Sequence, residues 1–230
     1  MSTHIVTENA AKKPHDIGEM LTRIENAISP FPKAAMFELH ERGYGTLWQQ
    51  LAACILSIRT YDETSLHAAL RLFERVSSPS QLLQLSIEEI DALISDCTFH
   101  EAKAHQLLEI AERAAREWND ELPPDRDLLL SLRGVGPKCA NLALGVAHDI
   151  PVISVDIHVH RVTNRWGYVG AKTPEKTMLA LEQKLPREHW IDINRLLVPF
   201  GKHICTGTLP KCSTCPVLEM CQQVGVTKHR

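Results

Sequence analysis

The chain has 230 residues, 44% of them hydrophobic, with 25 Lys+Arg against 28 Asp+Glu. That is enough apolar material for one or two domains with a sizeable buried core. It excludes a membrane span, which needs roughly 18 unbroken apolar residues, and a uniformly basic nucleic-acid coat. Residues 1–16 lack an apolar h-region and so do not read as a secretory signal. The formal net charge of -3 conceals a division along the chain. Residues 1–59 carry 6 basic and 6 acidic side chains, residues 60–130 carry 6 and 15, and residues 131–230 carry 13 and 7. Either acidic helices simply keep the protein in solution, or the basic half faces a polyanion. Charge leaves both open.

In chain order, residues 1–16 are expected to form a flexible extension. From Tyr44 onward apolar residues recur every three or four positions, the helical period. Leu47, Leu51 and Ile55 form one stripe, and Leu66, Leu70 and Phe73 another. Ser78 is the expected N-cap of a helix with Pro79 first and Gln81 as capping-box partner; Ser86 and Glu89 repeat the device. A longer helix is predicted from about Glu101 to Trp118, with Ala104, Leu107, Leu108, Ala111 and Ala115 inward and Pro123–Pro124 stopping it. Asp125 or Asp127 is the expected cap of a short helix into Leu132. Thr173–Pro174 opens a helix to about Leu185, and Pro186 opens a run through Val198 that Gly201 can end. Only residues 151–155 look strand-like, and without a partner they read as a buried connection. An all-α fold follows.

Two segments rise above this background. Cys205, Cys212, Cys215 and Cys221 are spaced C-x6-C-x2-C-x5-C, so four thiolates within 17 residues can converge on a tetrahedral zinc or a [4Fe-4S] cubane. Spacing does not choose between the two metals. A disulfide pair is the blander reading, disfavoured in a reducing compartment. The other cysteines, Cys54, Cys97 and Cys139, are scattered, and Cys54 reads as a small core residue.

The second segment, LLLSLRGVGPKCANLAL at 128–144, divides into a short helix, a hairpin with Gly134 and Gly136, and a second helix opened by Pro137. Its glycines permit a tight turn and present backbone amides beside a helix N-terminus, a seat for a phosphate. Lys138 falls in the first turn of that helix, where the macrodipole disfavours a cation. It is a candidate amine nucleophile, or else a phosphate contact. Asp156, in SVDIHVHRVTNR, is either an N-cap for a helix starting at Ile157 or a carboxylate that stabilises positive charge.

Together LRGVGPKCANLAL, SVDIHVHRVTNR and FGKHICTGTLPKCSTCPVLEMC resemble the endonuclease III family of DNA base-excision repair glycosylases, over about residues 17–223. The resemblance implies two helical domains: a six-helix barrel at about 40–150 containing the helix-hairpin-helix, and an iron–sulfur cluster domain from 17–39 plus 151–230, with DNA in the groove between. It places the catalytic lysine on Lys138 and the catalytic aspartate on Asp156. A damaged pyrimidine is flipped out, Lys138 attacks C1′, and a Schiff base permits β-elimination on the 3′ side. Cys205, Cys212, Cys215 and Cys221 would ligate a [4Fe-4S] cluster. The implied partner is double-stranded DNA with damaged bases or abasic sites, met by a monomer in the cytoplasm or on the nucleoid, with no membrane.

The same resemblance assigns DNA contacts to Arg59, Phe99, Arg133, Gly134, Gly136 and His158. Arg59 stands where bacterial members usually carry a gap-filling glutamine, and it can fill the gap or bind phosphate. Phe99 stands in the second wedge beside Cys97; it is an intercalating ring or a buried aromatic. Arg133 replaces the common proline before the first glycine. Lys202, Lys211, Arg187, Arg195 and Arg161 are candidates for backbone contacts or for local structure. His158 is expected at a buried polar or active-site contact, His160 nearer the surface. Two alternatives stand beside the bifunctional enzyme: a glycosylase of altered or narrow lesion specificity with weak lyase activity, and a catalytically silent damage-binding protein.

Overall fold

The computed structural model describes residues 12–230 together with the backbone of His4–Ile5. Much of the expected extension at 1–16 therefore lies outside the described residues, but its end is ordered. Lys12 Nζ donates to Leu218 O at 3.0 Å, and His15 Nε2 lies 2.9 Å from Trp166 O. The architecture is all-α apart from a two-residue antiparallel pairing of His4–Ile5 with Lys228–His229. Among the described residues no helix is long and apolar enough to cross a membrane.

The chain divides into two compact units, 12–34 with Ile153–Arg230, and Ala35–Val152. In chain order the helices are α1 (Ile17–Ile28), α2 (Ala35–Glu41), α3 (Leu47–Ser57), α4 (Asp62–Arg75), α5 (Pro79–Leu82), α6 (Ile87–Ile94), α7 (His100–Trp118), α8 (Arg126–Ser131), α9 (Pro137–His148), α10 (Ile157–Trp166), α11 (Pro174–Lys184) and α12 (Asp192–His203).

In the Ala35–Val152 unit, α3 is the central element. Every residue from Leu47 to Leu56 is buried, so neighbours surround it on all sides and α9 packs along it. Both helices contain small buried residues, Ala52 and Ala53 in α3 and Ala140, Ala143 and Gly145 in α9. Thr46 and Gln49 start α3 with a reciprocal capping box, as Ser86 and Glu89 start α6. At α5 the expected box is modified: Ser78 accepts from Gln81 N, but the Gln81 side chain accepts from Ser77 N.

Helix α7 departs further from expectation. It buries Lys103, Ala104, Leu107, Ile110, Ala111 and Ala114, leaving Leu108 and Ala115 half-buried. It ends because Asn119 turns left-handed at φ 49°, before the prolines are reached. Asp125 caps α8 through its bonds to Asp127 N and Leu128 N.

The other unit packs α1 and α10 against α12 around Ile24, Val162, Trp166, Ile193, Leu197 and Phe200. Residues 151–156 form no strand, and Ile153, Ser154 and Val155 are buried connection. Gly201 does not end a helix. It lies buried inside α12, where an added Cβ would sit 2.8 Å from His158 Nδ1. Its role is to admit the His158 ring.

Full burial of α3 predicts that Leu51→Ala will lower the unfolding free energy by about 2–5 kcal/mol in urea denaturation. Leu179→Ala, on the exposed face of α11, is expected to stay within about 0.5 kcal/mol of wild type.

Candidate active site

Lys138 is positioned by the turn between α8 and α9. Leu132 closes α8, Val135 N donates back to Leu132 O at 3.1 Å, and Gly134 adopts φ +74°. Gln106 Nε2 braces this turn by donating to Arg133 O at 2.7 Å. It lies 2.7 Å from where a Gly134 Cβ would stand, so a side chain there meets both backbone strain and a collision. Gly136 is the N-cap of α9 and brings no side chain to it, Pro137 is the first helical residue, and Lys138 follows. The first-turn amides thus have no intrahelical acceptor and receive no side-chain cap from Gly136. Lys138 Nζ donates to Ser57 Oγ at 3.2 Å, joining the start of α9 to the end of α3.

Directly behind the lysine, the buried Cys54 and Cys139 sulfurs lie 2.8 Å apart and share a hydrogen bond. That bond, against the cost of burial and with help from the Lys138 cation, draws the Cys54 thiol below its usual range. The shared bond and burial push Cys139 well above it.

The two wedge candidates meet in the same unit. Arg59 (φ 54°) and Phe99 (φ 60°) both occupy the left-handed region, costly for non-glycine residues and held by surrounding structure. The Arg59 guanidinium lies 5.8 Å from the Phe99 ring centroid, within cation–π range. Phe99 is 58% exposed, which overturns its reading as a buried aromatic; Cys97 beside it is the buried member, and burial raises its thiol. Tyr61, two positions after Arg59, is 85% exposed. Arg133 is exposed, with an ion pair to Glu109 at 3.4 Å.

In the other unit Asp156 caps α10. Its Oδ1 accepts from His158 N at 2.9 Å and Val159 N at 2.8 Å, so the cap orients the carboxylate through one of its two oxygens. His158 Nδ1 lies 3.1 Å from an Arg161 nitrogen, and His160 Nδ1 lies 2.7 Å from Thr177 Oγ1. Arg161 serves local structure: its guanidinium donates to Gly201 O at 2.8 Å and Cys205 O at 3.2 Å. Arg195 is likewise engaged internally, with Glu25 and Asp192.

Cys205, Cys212, Cys215 and Cys221 line one small pocket, walled by Trp166, Phe200, Ile204 and Leu218. Arg165, missed from sequence, clamps its rim by donating to Thr206 O and Gly207 O at 2.6 Å, and it reaches Cys205 Sγ at 3.6 Å. Gln223 N donates to Cys221 Sγ at 3.4 Å. Burial, with mutual repulsion among the thiols, pushes Cys215 to about 12 and Cys221 to about 11. Among the described residues no three His, Cys, Asp or Glu side chains are arranged to hold a single metal ion.

Residues 52–187 match the family described as HhH-GPD superfamily base excision DNA repair protein. Endonuclease III of Thermotoga maritima is 37% identical over 172 residues, covering 75% of this chain and 81% of that protein. Endonuclease III homolog 1, chloroplastic, of Arabidopsis thaliana is 39% identical over 180 residues; the match takes in 74% of this chain but only 48% of that longer protein. The structure of a trapped endonuclease III–DNA covalent intermediate in an estranged-adenine complex superposes with a TM-score of 0.72 at 30% identity, covering 77% of this chain and 84% of that one. The chain belongs to the HhH-GPD superfamily of base excision DNA repair proteins and, within it, to the endonuclease III family.

Proposed function

We propose that this protein removes oxidised or ring-damaged pyrimidines from double-stranded DNA and cleaves 3′ to the emptied site, with Lys138 as nucleophile. The observation that carries the reading is the placement of Lys138 in the first turn of α9, immediately after the glycine hairpin, with Nζ on Ser57 Oγ. Family membership supports glycosylase and lyase chemistry on DNA. In this mechanism the flipped-out nucleotide presents C1′ to Lys138 Nζ. A C1′–N bond forms, the bond to the base breaks, and the base leaves with the electron pair and gains a proton. Opening of the sugar ring gives a Schiff base. Loss of the C2′ proton then drives the C3′–O bond to break, expelling the 3′ phosphate, and water releases Lys138. Asp156 is assigned stabilisation of the positive charge developing on the sugar and assistance in proton movement.

The hairpin amides at Gly134 and Gly136 are assigned a phosphate. Arg59 and Phe99 are assigned the vacated space and the unpaired base, a role that suits their stacked, solvent-facing arrangement. His158 is assigned to ordering the start of α10, where its backbone N–H donates to the capping Asp156 carboxylate.

The four cysteines fit a [4Fe-4S] group. They line one desolvated pocket whose walls are largely apolar, and one sulfur already accepts a backbone amide bond, a common feature of iron–sulfur sites. Cys205, Cys212, Cys215 and Cys221 would hold the group, which would supply a structural cross-link in a segment with little core of its own.

Borohydride added during reaction with duplex carrying an oxidised pyrimidine is expected to trap wild-type protein on DNA, and Lys138→Ala to give no trapped product at unchanged thermal stability. A trap of equal yield in Lys138→Ala would sink the assignment. Asp156→Asn separates capping from charge, because Asn is an equally good N-cap. It should melt like wild type yet release base about 100-fold more slowly under single-turnover conditions. Purified protein should contain about four irons per chain with a broad visible absorption. Cys212→Ser should lose both along with thermal stability, whereas one zinc per chain would contradict the cluster.

A further inference from the structure

Lys103 is a charged residue in the core of the Ala35–Val152 unit, 4% exposed and outside the chemistry assigned to Lys138. Its Nζ donates to Leu56 O at 2.7 Å, Ile58 O at 2.8 Å and Thr60 Oγ1 at 3.1 Å. The first two acceptors are carbonyls at the end of α3, where no further helical turn follows. The remaining carbonyls of that last turn have other donors. Ser57 Oγ donates to Cys54 O at 2.7 Å, Ile58 N to Ile55 O at 3.2 Å, and Thr60 N to Ser57 O at 3.2 Å. The third acceptor extends the reach of the lysine: Thr60 Oγ1 also accepts from Thr98 N at 3.1 Å. One buried ammonium and one hydroxyl therefore tie together the segments on either side of Arg59 and the residue preceding Phe99. These are the two left-handed residues whose side chains stack in the solvent-facing wedge.

We infer that Lys103, acting through Thr60, is a positioning residue for base eviction, holding the Arg59 and Phe99 segments in the geometry with which they enter duplex DNA. This rests on the proposed glycosylase and lyase function. Lys103 touches no substrate in this scheme; it fixes the backbone from which Arg59 and Phe99 project. Its contribution is needed where a stacked, paired base must be displaced. It is not needed where the nucleotide is unpaired and the base already gone. Desolvation lowers the Lys103 ammonium, opposed by nearby Cys97 and Cys139 and reinforced by Lys138. The three acceptors are what keep a cation in this position.

The test compares wild type, Lys103→Met and Thr60→Val on two substrates under single-turnover conditions. One is a duplex bearing an oxidised pyrimidine with 2-aminopurine beside it; the other is a single strand bearing an abasic site. Thr60→Val keeps the bonds from Lys103 to the Leu56 and Ile58 carbonyls and removes the one hydroxyl that accepts from both Lys103 Nζ and Thr98 N, so it guards against simple misfolding of Lys103→Met. Expected for Thr60→Val is a base-release rate on duplex reduced about tenfold, the scale of one hydrogen bond to a charged group. A correspondingly slower 2-aminopurine fluorescence rise should accompany it, with strand cleavage on the single-stranded abasic site within about twofold of wild type. Lys103→Met should widen the same duplex-to-single-strand ratio. An undiminished duplex rate in Thr60→Val, or a parallel loss on both substrates, overturns the inference. Wild-type protein inactive on both substrates would instead overturn the underlying functional reading.

Discussion

The last turn of α3 imposes the constraint on which the site in the Ala35–Val152 unit depends. A helix that ends inside a core must find donors for carbonyls it can no longer satisfy itself. Here one of those donors is a lysine from a distant helix. Burying an ammonium costs several kcal/mol unless polar partners replace its water, and Leu56 O, Ile58 O and Thr60 Oγ1 are those partners. Each group answers the deficit of the other. Satisfying both fixes the path of the chain out of α3, with Ser57 at its end against Lys138 and Arg59 just beyond.

The chemistry-bearing residues in the two units are set by the same local physics, the start of a helix. Gly136 caps α9 without a side chain, leaving first-turn amides for an anion and setting Lys138 in the field of the helix. Asp156 caps α10 with its carboxylate. Capping and catalysis are not rival explanations of Asp156. The two amide bonds to Oδ1 hold the group in one orientation, which is what a carboxylate poised to meet positive charge needs.

Features whose cause lies within a few residues were legible in the sequence. The Ser86–Glu89 box, Thr173 before Pro174, the glycine hairpin and the Asp156 cap all appear where their spacing puts them. What was illegible depended on contacts distant in sequence. Gly201 looks like a helix stop, yet it is there because His158 packs onto α12 from 43 positions away. Arg161 reads in the sequence either as a DNA-backbone contact or as local structure, and only the distant Cys205 and Gly201 carbonyls that it donates to show the structural role. Lys103 carries no signal in its own stretch of sequence, because nothing near it announces the end of α3. The stop of α7 at Asn119 was hidden for a local reason, since two prolines a few residues on offered a stronger signal.

Peptide mapping by mass spectrometry of the borohydride-reduced protein–DNA adduct tests the central claim most directly, because it reads which atom of the protein bonded to the sugar. The account predicts one modified residue, Lys138, in the peptide that follows the glycine hairpin. An adduct on Lys103, on another lysine or on the N-terminal amine would contradict it.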